Sequence, residues 1–197
     1  MSQQGSAIEI ADHLHKAGAE LLAGGLDELL RGYGSVCYSG SYYLDLMAWP
    51  DLDVYLPHDP SKEYLTKFLG LGPRLASVCQ LISLRFKDHV RYPEVPLPHG
   101  LYWGVRAEQN SCLRWKLDIW SLPPTVIDAN QTELDRLKSK LTPKKRTLIL
   151  ELKQALLTPE GRTPIHSGYH IYCAVLDHGM HAIGEVKEYL KNQGVSI

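Results

Sequence analysis

Two segments of this chain alternate between apolar and polar residues, and that alternation constrains the fold more than any other feature. In Asp51-Leu52-Asp53-Val54-Tyr55-Leu56, residues two apart share a face of an extended strand. Leu52, Val54 and Leu56 form one face, and Asp51, Asp53 and Tyr55 form the other. In the segment ending at Leu122, Leu113, Trp115, Leu117 and Ile119 form the apolar side, with Cys112, Arg114, Lys116, Asp118 and Trp120 opposite. Strands of this kind belong to a sheet packed on a core by one face and open on the other. Asp51 and Asp53 then stand about 7 Å apart on the open face. Carboxylates that close raise each other's pKa, and a divalent cation with hard oxygen ligands settles them. If the second strand lies beside the first, Asp118 completes a three-carboxylate cluster. Such a cluster can hold two Mg2+ ions for in-line displacement at phosphorus. Gly40-Ser41 ends a short strand, Val36–Ser39, and a Gly-Ser turn lets backbone and hydroxyl donors approach phosphate oxygens.

The rest of the chain frames these strands. Residues 7–31 carry apolar positions at helical spacing, interrupted at Gly24-Gly25 and ended by Gly32-Tyr33-Gly34. Pro57 and Pro60 punctuate the end of the Asp51/Asp53 strand. Residues 61–87 read as helical, broken near Gly70–Pro73, and a proline-rich loop follows. Leu101–Ala107 reads as a strand joined to the next by the turn Gln109-Asn110-Ser111. Beyond Pro123-Pro124 only helical signals remain: Thr132–Leu141, a helix capped by Thr142 with Pro143 at its first position, and the pair Gly168–Asp177 and Ile183–Gln193. The expected class is therefore α/β (α+β): a mixed β-sheet with helices mainly on one face in residues 1–122, then a helical region in residues 123–197.

Charge refines this. The chain has 21 basic and 22 acidic residues, which argues against long nucleic acid or a membrane as the partner. Residues 1–122 hold 11 basic and 14 acidic residues, and the remainder 10 basic and 8 acidic. No apolar run approaches the length of a membrane span, and the N-terminus lacks the pattern of a secretory leader. The four cysteines, at 37, 79, 112 and 173, are scattered and read as buried thiols. A cytoplasmic globular protein is expected.

Gly40-Ser41, nine intervening residues, Asp51-x-Asp53 between Leu52 and Val54, and a later Asp118 between hydrophobics resemble the nucleotidyltransferase fold superfamily, the DNA polymerase β-like proteins. Its small members include aminoglycoside, lincosamide and minimal nucleotidyltransferases. The resemblance covers roughly residues 33–122. It implies that Gly40 and Ser41 hold nucleotide phosphates, that Asp51 and Asp53 bind Mg2+, and that Asp118 binds metal and helps activate an attacking hydroxyl. The implied reaction transfers a nucleoside monophosphate from an NTP to a hydroxyl of a small molecule or protein, with two Mg2+ ions.

Two other readings stand beside it. The stretch Tyr42–Pro50 is more apolar and aromatic than its counterpart in that superfamily. It motivates an inactive binding or regulatory module, such as an antitoxin-like partner. The same carboxylates would also suit another metal-dependent phosphotransferase or phosphohydrolase. Arg114 and Lys116 share the Asp118 face and either meet nucleotide phosphates or pair with the aspartates. Arg85, Arg91 and Arg106 are weaker phosphate candidates. Lys144-Lys145-Arg146 open a helix, where cations oppose the dipole, and read as a solvated start. His166 and His170 have a zinc-compatible spacing without a third ligand, and with His178 and His181 they read as surface or core-edge histidines. Tyr169 and Tyr172 are candidates to line an acceptor cleft. Trp120 is a candidate to stack on a base.

Overall fold

The computed structural model describes residues 5–58, 62–111 and 113–197; Pro60 and Cys112 lie outside them. The chain opens with α1 (Ala7–Leu21), whose start is held by a reciprocal cap. Glu9 N–H donates to Ser6 Oγ at 3.3 Å, and Ser6 N–H donates to Glu9 Oε2 at 2.7 Å. At Gly24-Gly25 the helix widens into a π turn, with Gly25 at φ 106°, before α2 (Asp27–Arg31). Then follow β1 (Cys37–Ser39), the single turn α3 (Gly40–Tyr43), β2 (Asp51–Pro57), α4 (Lys62–Leu69), α5 (Leu71–Leu75), β3 (Gln80–Asp88), β4 (Leu101–Gln109) and β5 (Leu113–Leu122). The rest is helical: α6 (Pro124–Ser139), α7 (Pro143–Ala155), α8 (Ser167–Leu176) and α9 (Ile183–Asn192). Among the described residues, no helix is long and apolar enough to cross a membrane.

The five strands form one mixed sheet in the order β1-β2-β5-β4-β3. Among the described residues, only β2 and β5 pair in parallel. Residues 80–88 correct the helical expectation for residues 61–87. A bulge between Leu81 and Ser83 inserts one extra residue, so the positions facing Ala107, Val105 and Trp103 are Leu81, Leu84 and Phe86. A spacing of three and then two imitates the i, i+3 pattern of a helix. The first helical segment past Pro123, expected from Thr132, also starts earlier than its apolar pattern. Pro124 supplies a preorganised first position, and the polar turns at Asn130 and Gln131 bond β1 instead of filling a core.

Two apolar cores hold the molecule. The first lies on one face of the sheet, where Leu52, Val54, Leu56, Trp115, Leu117 and Ile119 meet α1, α2, α4 and α5. The second gathers α6 to α9 and draws Ala11, Leu44 and Leu46 from the first part of the chain. Those last two residues explain the apolar character of Tyr42–Pro50. Leu44 and Leu46 enter the helical core while Met47 enters the sheet core, so the segment ties the two together. Thr142 caps α7 as expected, accepting from Lys145 N–H at 3.3 Å. Arg146 is structural: its guanidinium pairs with Asp12 at 2.6 Å and Asp45 at 3.0 Å. Of the described cysteines, Cys79 and Cys173 are buried, but Cys37 is only half-buried, its thiol donating to Gln131.

Candidate functional site

The open face of the sheet looks across a cleft of about 660 Å3 toward α6, α7, α8 and the loop before α8. Strand register builds the sheet wall. The parallel pairing of β2 and β5 sets Asp53 opposite Asp118 and Asp51 opposite Lys116. Because register partners share a face, all four side chains enter one space, together with Ser39, Gly40, Ser41, Trp49 and Tyr55. Six of the seven residues singled out in the sequence therefore line one cleft: Gly40, Ser41, Asp51, Asp53, Lys116 and Asp118. Arg114 does not. It lies exposed on the same sheet face, opposite Glu108 on β4.

Gly40 occupies a position that only glycine fits. Its φ is +59°, and a Cβ there would run into the Asp53 carboxylate. The chain thus turns from β1 into α3 with its backbone against Asp53. Ser39, buried beneath, donates its hydroxyl to Asn130 Oδ1 at 2.9 Å and so joins β1 to α6.

The three carboxylates are not equivalent. Lys116 Nζ lies 2.5 Å from Asp118 Oδ2 and 3.1 Å from Asp51 Oδ1, bridging the two. Tyr102 on β4 donates its hydroxyl to the other Asp118 oxygen at 2.8 Å. Burial raises the Asp51 carboxyl above its ordinary range, with Lys116 pulling the other way. Burial works against the Lys116 ammonium too, but Asp51 and Asp118 outweigh it and hold its pKa above that of a free lysine. Asp53 has no such cation. Among the described residues no Lys, Arg or His pairs with it, and burial, aided by Asp51 and Asp118, pushes its carboxyl up to about 8. Its proximity also holds the Tyr55 hydroxyl up to about 12, burial being the larger cause.

This donor set fits a divalent cation at Asp53. It offers hard oxygens and a desolvated carboxylate that has no direct ion-pair partner among the described residues. Among the described residues no three His, Cys, Asp or Glu side chains gather closely enough to form a ready-made metal cage. The bridging Lys116 draws Asp51 and Asp118 to itself.

The helical wall carries the opposite charge. Lys153, from α7, is buried; its ammonium donates to the Leu46 carbonyl at 2.5 Å and the Tyr172 hydroxyl at 3.1 Å. Burial lowers its pKa to about 8, against the pull of Asp51 and Asp53. Arg162, His166 and His170 line the same side, as do Tyr169 and Tyr172. Tyr169, half-exposed, donates its hydroxyl to Glu133 at 2.9 Å. Sequence reasoning reached the two tyrosines but missed Lys153 and Arg162. The clue for Lys153 was a lone cation within the apolar run Leu148–Leu157, where solvation alone does not account for a lysine. Trp120 is not a base platform: it is buried under His89 and Tyr102, with ring centroids 5.3 and 4.6 Å away. Trp49 lines the cleft instead.

No family model matches the chain, and a search of curated proteins found no match. Solved structures do match. The Cid1 poly(U) polymerase bound to MgGTP superposes with a TM-score of 0.56 at 16% identity, over 86% of this chain and 51% of that one. A cytoplasmic RNA terminal U-transferase superposes with a TM-score of 0.51 at 15% identity, over 89% of this chain and 53% of that one. This chain spans about half the length of the structures it matches. The mixed sheet, the flanking helices and these neighbours agree on one architecture: the chain has the nucleotidyltransferase fold.

Proposed function

We propose that this chain is a Mg2+-dependent nucleotidyltransferase, moving a nucleoside monophosphate from an NTP to a hydroxyl and releasing pyrophosphate. The observation that carries the reading is the pairing of Asp53 with Asp118 across the parallel strands, beside a Gly40 that leaves no room for a side chain. Asp53 and Asp51 would hold Mg2+ with the triphosphate. The ion, when bound, would neutralise phosphate charge and polarise the phosphorus under attack. Gly40 and Ser41 would present backbone and hydroxyl donors to the distal phosphates. Lys153 and Arg162 would face them from the helical wall. Asp118, held by Tyr102, would receive the proton of the attacking hydroxyl. Its oxygens keep free lone pairs beside the two bonds they accept. On this reading residues 1–122 form a catalytic domain and residues 123–197 a helical domain that closes the nucleotide site.

The acceptor reading changes with the structure. The even overall charge favoured a small molecule or a protein. Yet the sheet face running outward from Asp118 is basic. Arg106 lies beside Lys116, and Arg85 lies beyond Gly104, which pairs with Asp118; both arginines are exposed. An anionic acceptor suits this track, and the structural neighbours are named for RNA. We therefore place the 3′ hydroxyl of an RNA ahead of a small-molecule hydroxyl.

The apolar Tyr42–Pro50 segment, which motivated an inactive module, has a packing role that leaves the carboxylates in place. The test is to incubate the protein with each labelled NTP, Mg2+ and either short RNAs or small hydroxyl acceptors. Label is expected to move to RNA, and to be lost with Asp53→Ala. Equal transfer by that variant would refute the assignment, and transfer to small acceptors alone would correct the acceptor. Failure to bind any NTP, with a protein retained in its place, would return the chain to the regulatory reading.

A further inference from the structure

Three carboxylates in one cleft are enough, in principle, for two divalent ions. Here a lysine intervenes. Lys116 projects from the middle of β5, hydrogen-bonded on both sides: Asp51 is its partner on β2 and Arg106 its partner on β4. Its own amide donates to the Pro50 carbonyl at 3.0 Å, so the start of its side chain is fixed. The ammonium then reaches Asp51 at 3.1 Å and Asp118 at 2.5 Å. The Trp49 ring closes over it, its centroid 5.6 Å from Nζ. Only 23% of the side chain is exposed, which leaves it little solvent to swing into.

The consequences for oxygen donors are specific. One Asp51 oxygen is taken by Lys116, and both Asp118 oxygens accept bonds, from Lys116 and Tyr102. A divalent ion bridging Asp51 and Asp118 would need the space between them that the ammonium already fills. It would also stand against a like charge. Asp53 and the second Asp51 oxygen stay open to an ion arriving with the nucleotide. Lys153 does not compete, because its ammonium is bonded to Leu46 and Tyr172 on the opposite wall.

We propose that Lys116 is a resident cation that takes the place of one of the two divalent ions, so that the site works with a single ion brought in by the nucleotide. This rests on the nucleotidyltransferase reading and deepens it. Lys116 is then a positioning residue: it fixes Asp118 beside the acceptor hydroxyl and leaves phosphate charge to the ion, Lys153 and Arg162. Of the two sequence readings of Lys116, this follows pairing with the aspartates and not contact with the phosphates.

The experiment counts ions and does not depend on turnover. The protein is titrated with Mn2+ in the presence of a non-hydrolysable NTP, bound Mn2+ is counted by electron paramagnetic resonance, and nucleotide occupancy is followed by a fluorescent analogue. The wild-type chain is expected to bind one Mn2+ per nucleotide. Lys116→Ala and Lys116→Gln are expected to bind two. The melting temperature of each variant is expected to rise more on adding Mn2+ than that of the wild type, because a vacated carboxylate pair needs an ion. Two ions in the wild type overturn the proposal while leaving the nucleotide reading intact. One ion in the wild type and in both variants overturns it too. No nucleotide binding by the wild type overturns both.

Discussion

The two walls of the cleft are built in different ways. The sheet wall is acidic, and strand register fixes it: Asp51, Asp53 and Asp118 come from two strands whose pairing leaves no freedom in which residues meet. The helical wall is cationic and aromatic. Lys153, Arg162, Tyr169 and Tyr172 come from α7, a loop and α8, and tertiary packing sets their positions. The comparison separates two tasks. The acidic wall holds a buried carboxyl, Asp53, whose charged form the empty cleft disfavours and a cation would favour. The basic wall holds a buried ammonium that the fold keeps close to losing its proton. On the proposed function, an anionic nucleotide with its ion would satisfy both at once.

The largest test of this difference lies on the acidic wall. Asp53→Asn should abolish turnover, by about 1,000-fold or more, since an ion's ligand supplies several kcal/mol to the transition state. The same change should raise the melting temperature of the ion-free protein, because it removes a desolvated carboxylate that no direct ion pair offsets. Lower stability together with lost activity would mean that Asp53 is already satisfied. Gly40→Ala comes next. The left-handed backbone and the approach to Asp53 together should cost about 1–3 kcal/mol of stability, measured by urea unfolding. A neutral result would show that the turn relaxes freely.

On the basic wall the effects are smaller and depend on pH. Lys153→Met should weaken NTP binding by about 10- to 100-fold, the worth of one charge-assisted bond. In the wild type, affinity should fall as pH rises through about 8, where the ammonium loses its proton. Lys153→Arg should carry the affinity to higher pH. The stability effect has its own sign. The folded pKa of about 8 lies below the ordinary 10.5, so as pH falls from 10.5 toward 8 the unfolded chain takes the proton first and stability declines. A flat nucleotide-binding profile from pH 7 to 9 would remove Lys153 from the phosphate site. The smallest effect should come from the sheet's outer face. Replacing Arg85 or Arg106 with Gln should weaken RNA binding uniformly across sequences and lower the salt dependence by about one unit per residue. Unchanged salt dependence would move the acceptor elsewhere.

Legibility followed the same division. Asp51, Asp53 and Asp118 were readable because a strand's period of two is local, and the apolar partners Leu52, Val54, Leu117 and Ile119 announce the face. Gly40-Ser41 was readable by its distance from them. β3 was missed because its bulge broke the period on which the reading depends. Lys153 was missed because a buried lysine on a helix is defined by what surrounds it, here Leu46 and Tyr172, which are 107 and 19 residues away. Trp120 was assigned by its face alone, and the sequence held no sign that His89 and Tyr102 cover it. The even net charge averages over an acidic cleft and a basic outer face, so it could not rank an RNA acceptor against a small one.

The central claim is that the two walls together place an NTP for attack at its α-phosphorus. The direct measurement follows two labels in one reaction, with the NTP labelled separately at its α- and γ-phosphates and Mg2+ and RNA present. The account predicts that the α-label joins the acceptor and the γ-label leaves as pyrophosphate, in equal amounts, with neither released by Asp53→Asn. Appearance of the γ-label on the acceptor or as free phosphate, leaving a nucleoside diphosphate, would contradict it.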